Sequence, residues 1–392
     1  MIKETLRPDL EIKWARIRSM MTEQGADACL LSVGVNLYYT TGVNYNGYFY
    51  LSTECDEPIL FVKAPAGLMG DGVHYIRKQE QISEVLAVIS VAQPKKLLLE
   101  ADELTFNDYS RLAKCFEAEE IGNATALMRR VRMVKTPWEI DQFKHSAALH
   151  AKTYAEIKRC YRKGMTDVEF QVELERVMRL NGSIGLFRAF GSNMDIFMGS
   201  TLAGDNAGAP SPFDYALGGA GTHPSLPLGA NGTLLEKGMS VMIDLAGNYT
   251  AYVTDMTRTC AVGEISDEAR RAHAVSCAIV AEIERVAKPG FSCAEMYNIA
   301  ARMADEAGLA GNFMGTKQQA KFVGHGIGLQ INEMPVLTPR SRDVLEVGMV
   351  FALEPKFVLD GIGAVGIENS YIVTETGLET LTVFPEEIIE LA

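Results

Sequence analysis

The sequence predicts an α/β amino-terminal domain followed by an α+β domain with an internal pseudo-two-fold repeat. Three observations predict it. The 392 residues exceed what one ordinary core accommodates. Short apolar strand-like runs alternate with helical stretches as far as about residue 130. Beyond that point a helix pair followed by a strand hairpin occurs twice. The expected domains are therefore 1–130 and 131–392.

In the first domain "ADACLLSV", "EPILFVKA" and "PKKLLLE" read as buried strands. "DLEIKWARIRSMMTEQG" and "FNDYSRLAKCFEAEE" read as helices between them. The aromatic run "NYNGYFYLST" (44–53) is expected to pack in the core or at a subunit contact. A basic cluster, "LMRRVRMVK", then precedes a helix start. Thr136 as N-cap, Pro137 at the first helical position and Glu139 at the third form a capping box.

The spacing predicts one long helix from Pro137 to Gly164 and a second, capped by Thr166 and Glu169, that stops at "LNG". Its counterpart is a long helix from Asp267 to "KPG" and another, capped by Ser292 and Glu295, that stops near Gly308. The Gly- and Ala-rich segment 192–225 is expected to supply strands and loops at a pocket mouth rather than a disordered linker.

The composition, 47% apolar and 22% charged, is that of a soluble globular chain. A net charge of -13 argues against nucleic acid and anionic membranes as partners. The opening residues lack the apolar centre of a secretory signal, and no apolar run has the roughly 18 residues needed to span a bilayer. Seven scattered cysteines without a CxxC suit a reduced, cytoplasmic setting.

Each repeat carries carboxylates inside an apolar hairpin. In "VMIDLAGNYTAYVTDMTRT", Asp244 and Asp255 are symmetric about Tyr249 and Thr250, so an unbulged hairpin would set them directly opposite, roughly 5 Å apart. In "ALEPKFVLDGIGAVGIEN", Glu354 and Glu368 are symmetric about Gly361 in the turn signal "DGIG". Two bare carboxylates at that spacing repel by roughly 3 kcal/mol at an effective dielectric near 20, so a positive group must sit among them. Alternation places Arg258 on the strand face opposite Asp255, which leaves one or two divalent ions as the better neutraliser.

His325, in "KFVGHGIGLQINEMP", offers a nitrogen ligand. Gly324, Gly326 and Gly328 would let its backbone turn sharply and come close to a buried centre. A phosphate-loop reading of "GHGIGL" fails, because no helix start follows it.

The order Asp244, Asp255, His325, Glu354, Glu368 resembles the five-ligand set of the aminopeptidase P, prolidase and methionine aminopeptidase family, the pita-bread metallopeptidases. "DxTRT", "GHGIG" and "EP" carry the resemblance over residues 137–385. "NLYYTTGVN" and the α/β region before it are similar to that family's creatinase-type amino-terminal domain. The resemblance implies a pita-bread fold and a dinuclear site. Asp255 and Glu368 would bridge the ions, Asp244 would complete one, and His325 with Glu354 the other. Oxygen-rich ligation favours manganese, with cobalt, zinc and iron as the other family metals. Glu354 would be the catalytic carboxylate that moves the proton. A homodimer is implied in the same way.

The sequence departs from the family in the groups around the substrate. "SLPLG" places Leu228, "INEMP" Asn332 and "VGIEN" Gly366, where prolidase-type enzymes carry histidine, histidine and arginine. His223 and Asn332 are the candidate replacements for substrate binding. The leading reading is hydrolysis of an Xaa-Pro peptide bond. The alternatives are a lyase or C–N hydrolase of a small polar substrate on the same scaffold, or a peptide-binding module without turnover.

Overall fold

The computed structural model describes residues 4–70, 72–191, 197–213 and 215–392. The chain separates into two units, Met1–Arg132 and Met133–Ala392. In the first unit the elements run α1 (Arg7–Glu23), β1 (Ala28–Leu31), α2 (Gly34–Thr41), β2 (Asn46–Ser52), β3 (Ile59–Ala64), β4 (Val73–Tyr75), α3 (Gln81–Val88), β5 (Lys96–Leu99), α4 (Phe106–Ala113) and β6 (Glu120–Asn123). The sheet order is β4-β3-β2-β1-β5-β6. The aromatic run forms β2 and buries Tyr48, Phe49 and Tyr50, so core packing explains its composition.

Helix α5 (Thr125–Met133) leads into the second unit. There follow α6 (Pro137–Tyr154), α7 (Ile157–Cys160), α8 (Asp167–Leu180), β7 (Gly199–Ala203), β8 (Ser240–Gly247) and β9 (Thr254–Val262). The second half contains α9 (Asp267–Val286), α10 (Cys293–Glu306), β10 (Gly324–Gly326), β11 (Glu333–Val336), β12 (Val350–Leu353), β13 (Lys356–Leu359), β14 (Gly363–Gly366), β15 (Asn369–Val373), β16 (Leu378–Thr380) and β17 (Ile389–Leu391). The capping boxes Thr136–Glu139 and Thr166–Glu169 form, and Ser292 accepts from the Glu295 amide. Among the described residues no helix is long and apolar enough to cross a membrane.

The first long helix is shorter than its spacing predicts. It stops at Tyr154, because the chain bends there to bury Ile157, Cys160 and Tyr161 against α8 and β8. In segment 192–225, residues 199–203 form strand β7 beside β8, and residues 192–196 and 214 lie outside the described residues.

Each half of this unit has its own core. Phe170, Leu174 and Met178 of α8 pack on Val241, Ile243 and Leu245 of β8, whereas α9 and α10 pack on Phe351, Leu353, Val365 and Tyr371. The halves join where Thr257 and Glu368 exchange backbone hydrogen bonds of 3.3 and 3.2 Å. Arg258 locks that junction. Its buried guanidinium donates to the carbonyls of Thr257, Glu368, Phe384 and Pro385 and to Asn369 Oδ1, all at 2.8–2.9 Å. Burial lowers its pKa, and the five acceptors offset much of that cost.

His150 of α6 is wholly buried. Its Nδ1 lies 3.0 Å from Thr254 Oγ1, and its Nε2 has no partner among the described residues. Burial, then the charge of Arg258, pushes its pKa down to about 3.

Two outcomes are expected. Arg258→Met should lower unfolding stability by roughly 3 kcal/mol, because it strands buried acceptors; urea titration followed by circular dichroism measures this. His150 binds a proton in the unfolded chain below its ordinary value of 6.5 but not in the fold until about 3, so its contribution is intact above 6.5 and is lost as pH falls through that window. Between pH 7 and pH 5 wild type should therefore lose about 2 kcal/mol more than His150→Gln.

Candidate active site

Strand register brings the acidic residues together. In β8–β9 Asp244 is opposite Thr257, and Asp255 is opposite Ala246. The aspartates are therefore diagonal neighbours on one face, two positions apart, and not the directly opposed pair that hairpin symmetry predicts. Helix α6 sets this register: Ser146 Oγ donates to the Gly247 carbonyl, and a Cβ on Gly247 would come within 2.5 Å of His150 Nδ1. The ladder ends there, leaving residues 248–253 as a broad loop.

The second hairpin has the register its turn signal predicts. Lys356 pairs with Gly366 and Leu353 with Asn369, so Glu354 and Glu368 fall opposite one another between those pairs. His325 on β10 pairs with Ala352, two residues before Glu354. The glycines beside His325 serve close approach rather than a turn, because a Cβ on Gly324 would lie 2.1 Å from the Ala352 carbonyl and one on Gly326 2.0 Å from that of Met334. Buried Lys135 bonds Glu333 at 2.9 Å, and Glu333 accepts from the Leu329 amide at 2.9 Å, which holds the following loop.

Sequence reasoning missed Lys356. Its Nζ, at 0% side-chain exposure, donates to Glu354 Oε2 at 2.7 Å, Asp244 Oδ2 at 2.9 Å and Glu368 Oε2 at 2.9 Å. The signal was available: in "EPKF" the lysine is two residues after Glu354, and strand alternation puts both on one face. Burial opposes the ammonium charge, but Asp244, Glu354 and Glu368 overcome it and hold the pKa well above the ordinary lysine value. Thr257, also unanticipated, donates its hydroxyl to Glu368 Oε2 at 2.7 Å.

The other side of the cluster is different. His325 Nε2 lies 3.6 Å from Glu354 Oε1 and 3.9 Å from Asp255 Oδ2. Glu368 Oε1 is buried without a hydrogen-bond partner among the described residues. Burial, reinforced by the charges of Glu368 and Asp244, pushes the Asp255 pKa well up, and burial also raises Asp244 and Glu368. Donor atoms of Asp255, His325 and Glu368 lie within 4.8 Å of one another, as do those of Asp244, Glu354 and Glu368.

These two triads do not fit a metal equally. The Asp255, His325 and Glu368 triad combines an imidazole nitrogen with an orphaned carboxylate oxygen and an under-compensated aspartate, a donor set that suits a divalent ion. The Asp244, Glu354 and Glu368 triad already surrounds the Lys356 ammonium, which takes one oxygen from each.

The expected substrate residues are dispersed. His223 is exposed, with Nδ1 2.7 Å from Ser225 Oγ in a local turn. Leu228 is buried and brings no polar group. Asn332 binds the Phe190 backbone at both ends of its amide, accepting at 2.6 Å and donating at 2.9 Å. Gly366 cannot take the arginine of the resembled family, because a Cβ there would meet the Pro355 carbonyl at 2.6 Å with φ at +143°. Phe322, whose ring lies 6.3 Å from that of His325, also lines a recess with Phe213, Tyr215, Thr316 and Gln319.

Comparison with known proteins agrees with this architecture. Residues 141–375 match the model described as Metallopeptidase family M24, and residues 13–134 match the Creatinase/Prolidase N-terminal domain. An uncharacterized peptidase of Bacillus subtilis is 26% identical over 97% of this chain and 100% of its own. An Xaa-Pro dipeptidase of Pyrococcus furiosus is 24% identical over 95% and 98%. An Xaa-Pro dipeptidase structure from Bacillus anthracis, 27% identical, matches with a TM-score of 0.80 over 97% of this chain and 99% of that one. An X-Pro aminopeptidase structure from Thermotoga maritima, 22% identical, has a TM-score of 0.78 over 96% and 99% and supports the pita-bread fold.

Lys356→Met should be destabilised by about 3–5 kcal/mol in buffer containing a chelator, because three buried carboxylates lose their cation. Denaturant unfolding beside wild type measures the difference.

Proposed function

The chain belongs to metallopeptidase family M24, and from that premise we propose that it is a metal-dependent hydrolase of a small peptide-like substrate, with the Xaa-Pro bond as the first candidate. The observation that carries this reading is the convergence of donor atoms of Asp255, His325 and Glu368 within 4.8 Å of one another, with Glu354 Oε1 3.6 Å from His325 Nε2 and Glu368 Oε1 buried without a partner among the described residues. Asp255, His325 and Glu368 would hold a divalent ion, manganese by donor type, with Glu354 beside it. When bound, the ion supplies Lewis acidity and an acidified water.

The chain's own groups supply the rest. Lys356 and Thr257 fix Glu368 through Oε2, which leaves Oε1 without a hydrogen-bond partner among the described residues. Lys356 likewise holds Glu354 by Oε2, so that Oε1 faces His325 and is placed to take a proton from the attacking water and return it to the leaving amine. The buried positions of Asp255, Glu354 and Glu368 limit water around them and strengthen each interaction. A homodimer and a reducing cytoplasmic setting accompany this reading. The second is supported by seven cysteines that are all free.

A second reading, a lyase or C–N hydrolase of a small polar substrate, is favoured by a specific observation. Leu228 is apolar, Asn332 is committed to Phe190, and Gly366 has no room for a side chain, so the groups expected to hold a peptide are absent or occupied.

Assays of Xaa-Pro dipeptides and longer Xaa-Pro peptides with manganese, cobalt or zinc separate the two. Turnover of a proline peptide is expected, with His325→Ala and Glu354→Gln each losing at least about 100-fold in kcat/KM. Metal binding without turnover of any proline peptide would transfer the assignment to the second reading.

A further inference from the structure

Two halves of one acidic cluster are neutralised differently. On the Asp244 side the cation is part of the chain. Three carboxylate oxygens, one each from Asp244, Glu354 and Glu368, surround Lys356 Nζ at 2.7–2.9 Å. An ammonium has three protons, and three acceptors use all of them. Among the described residues neither Asp255 nor His325 pairs with a lysine or arginine, and Glu368 Oε1 is buried without a partner.

We propose that Lys356 is a built-in substitute for one of two metal ions, so that this centre binds a single divalent ion, on the Asp255–His325–Glu368 side. The proposal rests on the metal-dependent reading above and narrows it to a mononuclear centre.

Charge is compatible with that count. With all four carboxylates ionised, the ammonium and one divalent ion leave a single negative charge. Exclusion is steric as well as electrostatic. Nζ occupies the space among the three oxygens, and its strand is held by the Lys356–Gly366 pairing and by the Lys356 carbonyl, which accepts from the Met314 amide at 2.8 Å. The side chain has no solvent-exposed surface from which to swing away.

The substitution has a chemical consequence. A metal on the Asp244 side could offer an open coordination position to a substrate or a water, whereas the saturated ammonium offers none. Lys356 is thus a positioning residue: it sets the orientation of Glu354 and Glu368 and leaves the substrate to be held by the single ion and the surrounding groups.

The test is the number and place of the ions in the full-length protein. Protein stripped with chelator, re-equilibrated with Mn2+ and freed of excess metal should carry one manganese per chain by elemental mass spectrometry. Anomalous scattering from Mn2+-soaked wild-type crystals should show one peak, at His325 Nε2. Asp244→Asn should retain the ion, His325→Ala should lose it, and Lys356→Ala should bind two and regain thermal stability on adding Mn2+. Two ions or two peaks in wild type would overturn the substitution while leaving the metal-dependent hydrolase intact. Loss of the ion in Asp244→Asn, or a single ion in folded Lys356→Ala, would also overturn it. No ion in wild type would overturn both this proposal and the metal-dependent reading. Should Lys356→Ala fail to fold, the wild-type peaks and the Asp244→Asn count decide the matter.

Discussion

Four carboxylates drawn into one buried cluster are the constraint around which the second unit is arranged. At an effective dielectric near 20, each pair about 5 Å apart costs roughly 3 kcal/mol in repulsion, before desolvation is counted. The fold offsets this locally. Lys356 binds three of the four, and Thr257 adds a hydrogen bond to Glu368. Asp255, the acid farthest from that compensation, faces His325. Charge is left less balanced on the Asp255 side, and in the proposed reading that asymmetry makes the cluster a binding centre rather than a closed ionic core.

Holding such a cluster requires that two hairpins from different halves meet without slipping. Backbone exchange between Thr257 and Glu368 joins them, and Arg258, pointing away from the acids, ties the joint to Asn369, Phe384 and Pro385. Glycine at 324, 326 and 366 removes the Cβ atoms that would otherwise collide with neighbouring carbonyls. These positions are small because the backbones approach closely, and the donor atoms depend on that approach for their spacing.

The surroundings of the centre differ in character from the centre itself. Leu228 is apolar, Asn332 is bound to Phe190, and His223 is turned to its own loop. A peptide would therefore meet few of the side-chain donors that the family resemblance leads one to expect near the metal. The aromatic recess that Phe322 shares with Phe213 and Tyr215 lies beside His325 instead.

Local interactions were legible in the sequence. The capping boxes at Thr136 and Thr166 use side chains three residues apart, and the Glu354–Glu368 pairing follows from a tight turn at Gly361. The strand pattern was enough to select the four carboxylates, the family resemblance added His325, and the alternation rule could have selected Lys356 as well. Its role was hidden because a charged residue beside a carboxylate on a strand is ordinarily read as a surface residue. What only the tertiary structure decided came from distant partners: the Asp244–Asp255 offset, set by α6 against Gly247; the early end of α6, set by burial of Ile157 and Tyr161; and the engagement of Asn332 by Phe190. Sequence alone determined which groups could bind a cation, since residue type and period fix chemistry and face. Tertiary packing decided which side of the cluster already had one, because an ammonium neutralises only the oxygens that folding brings within hydrogen-bond reach.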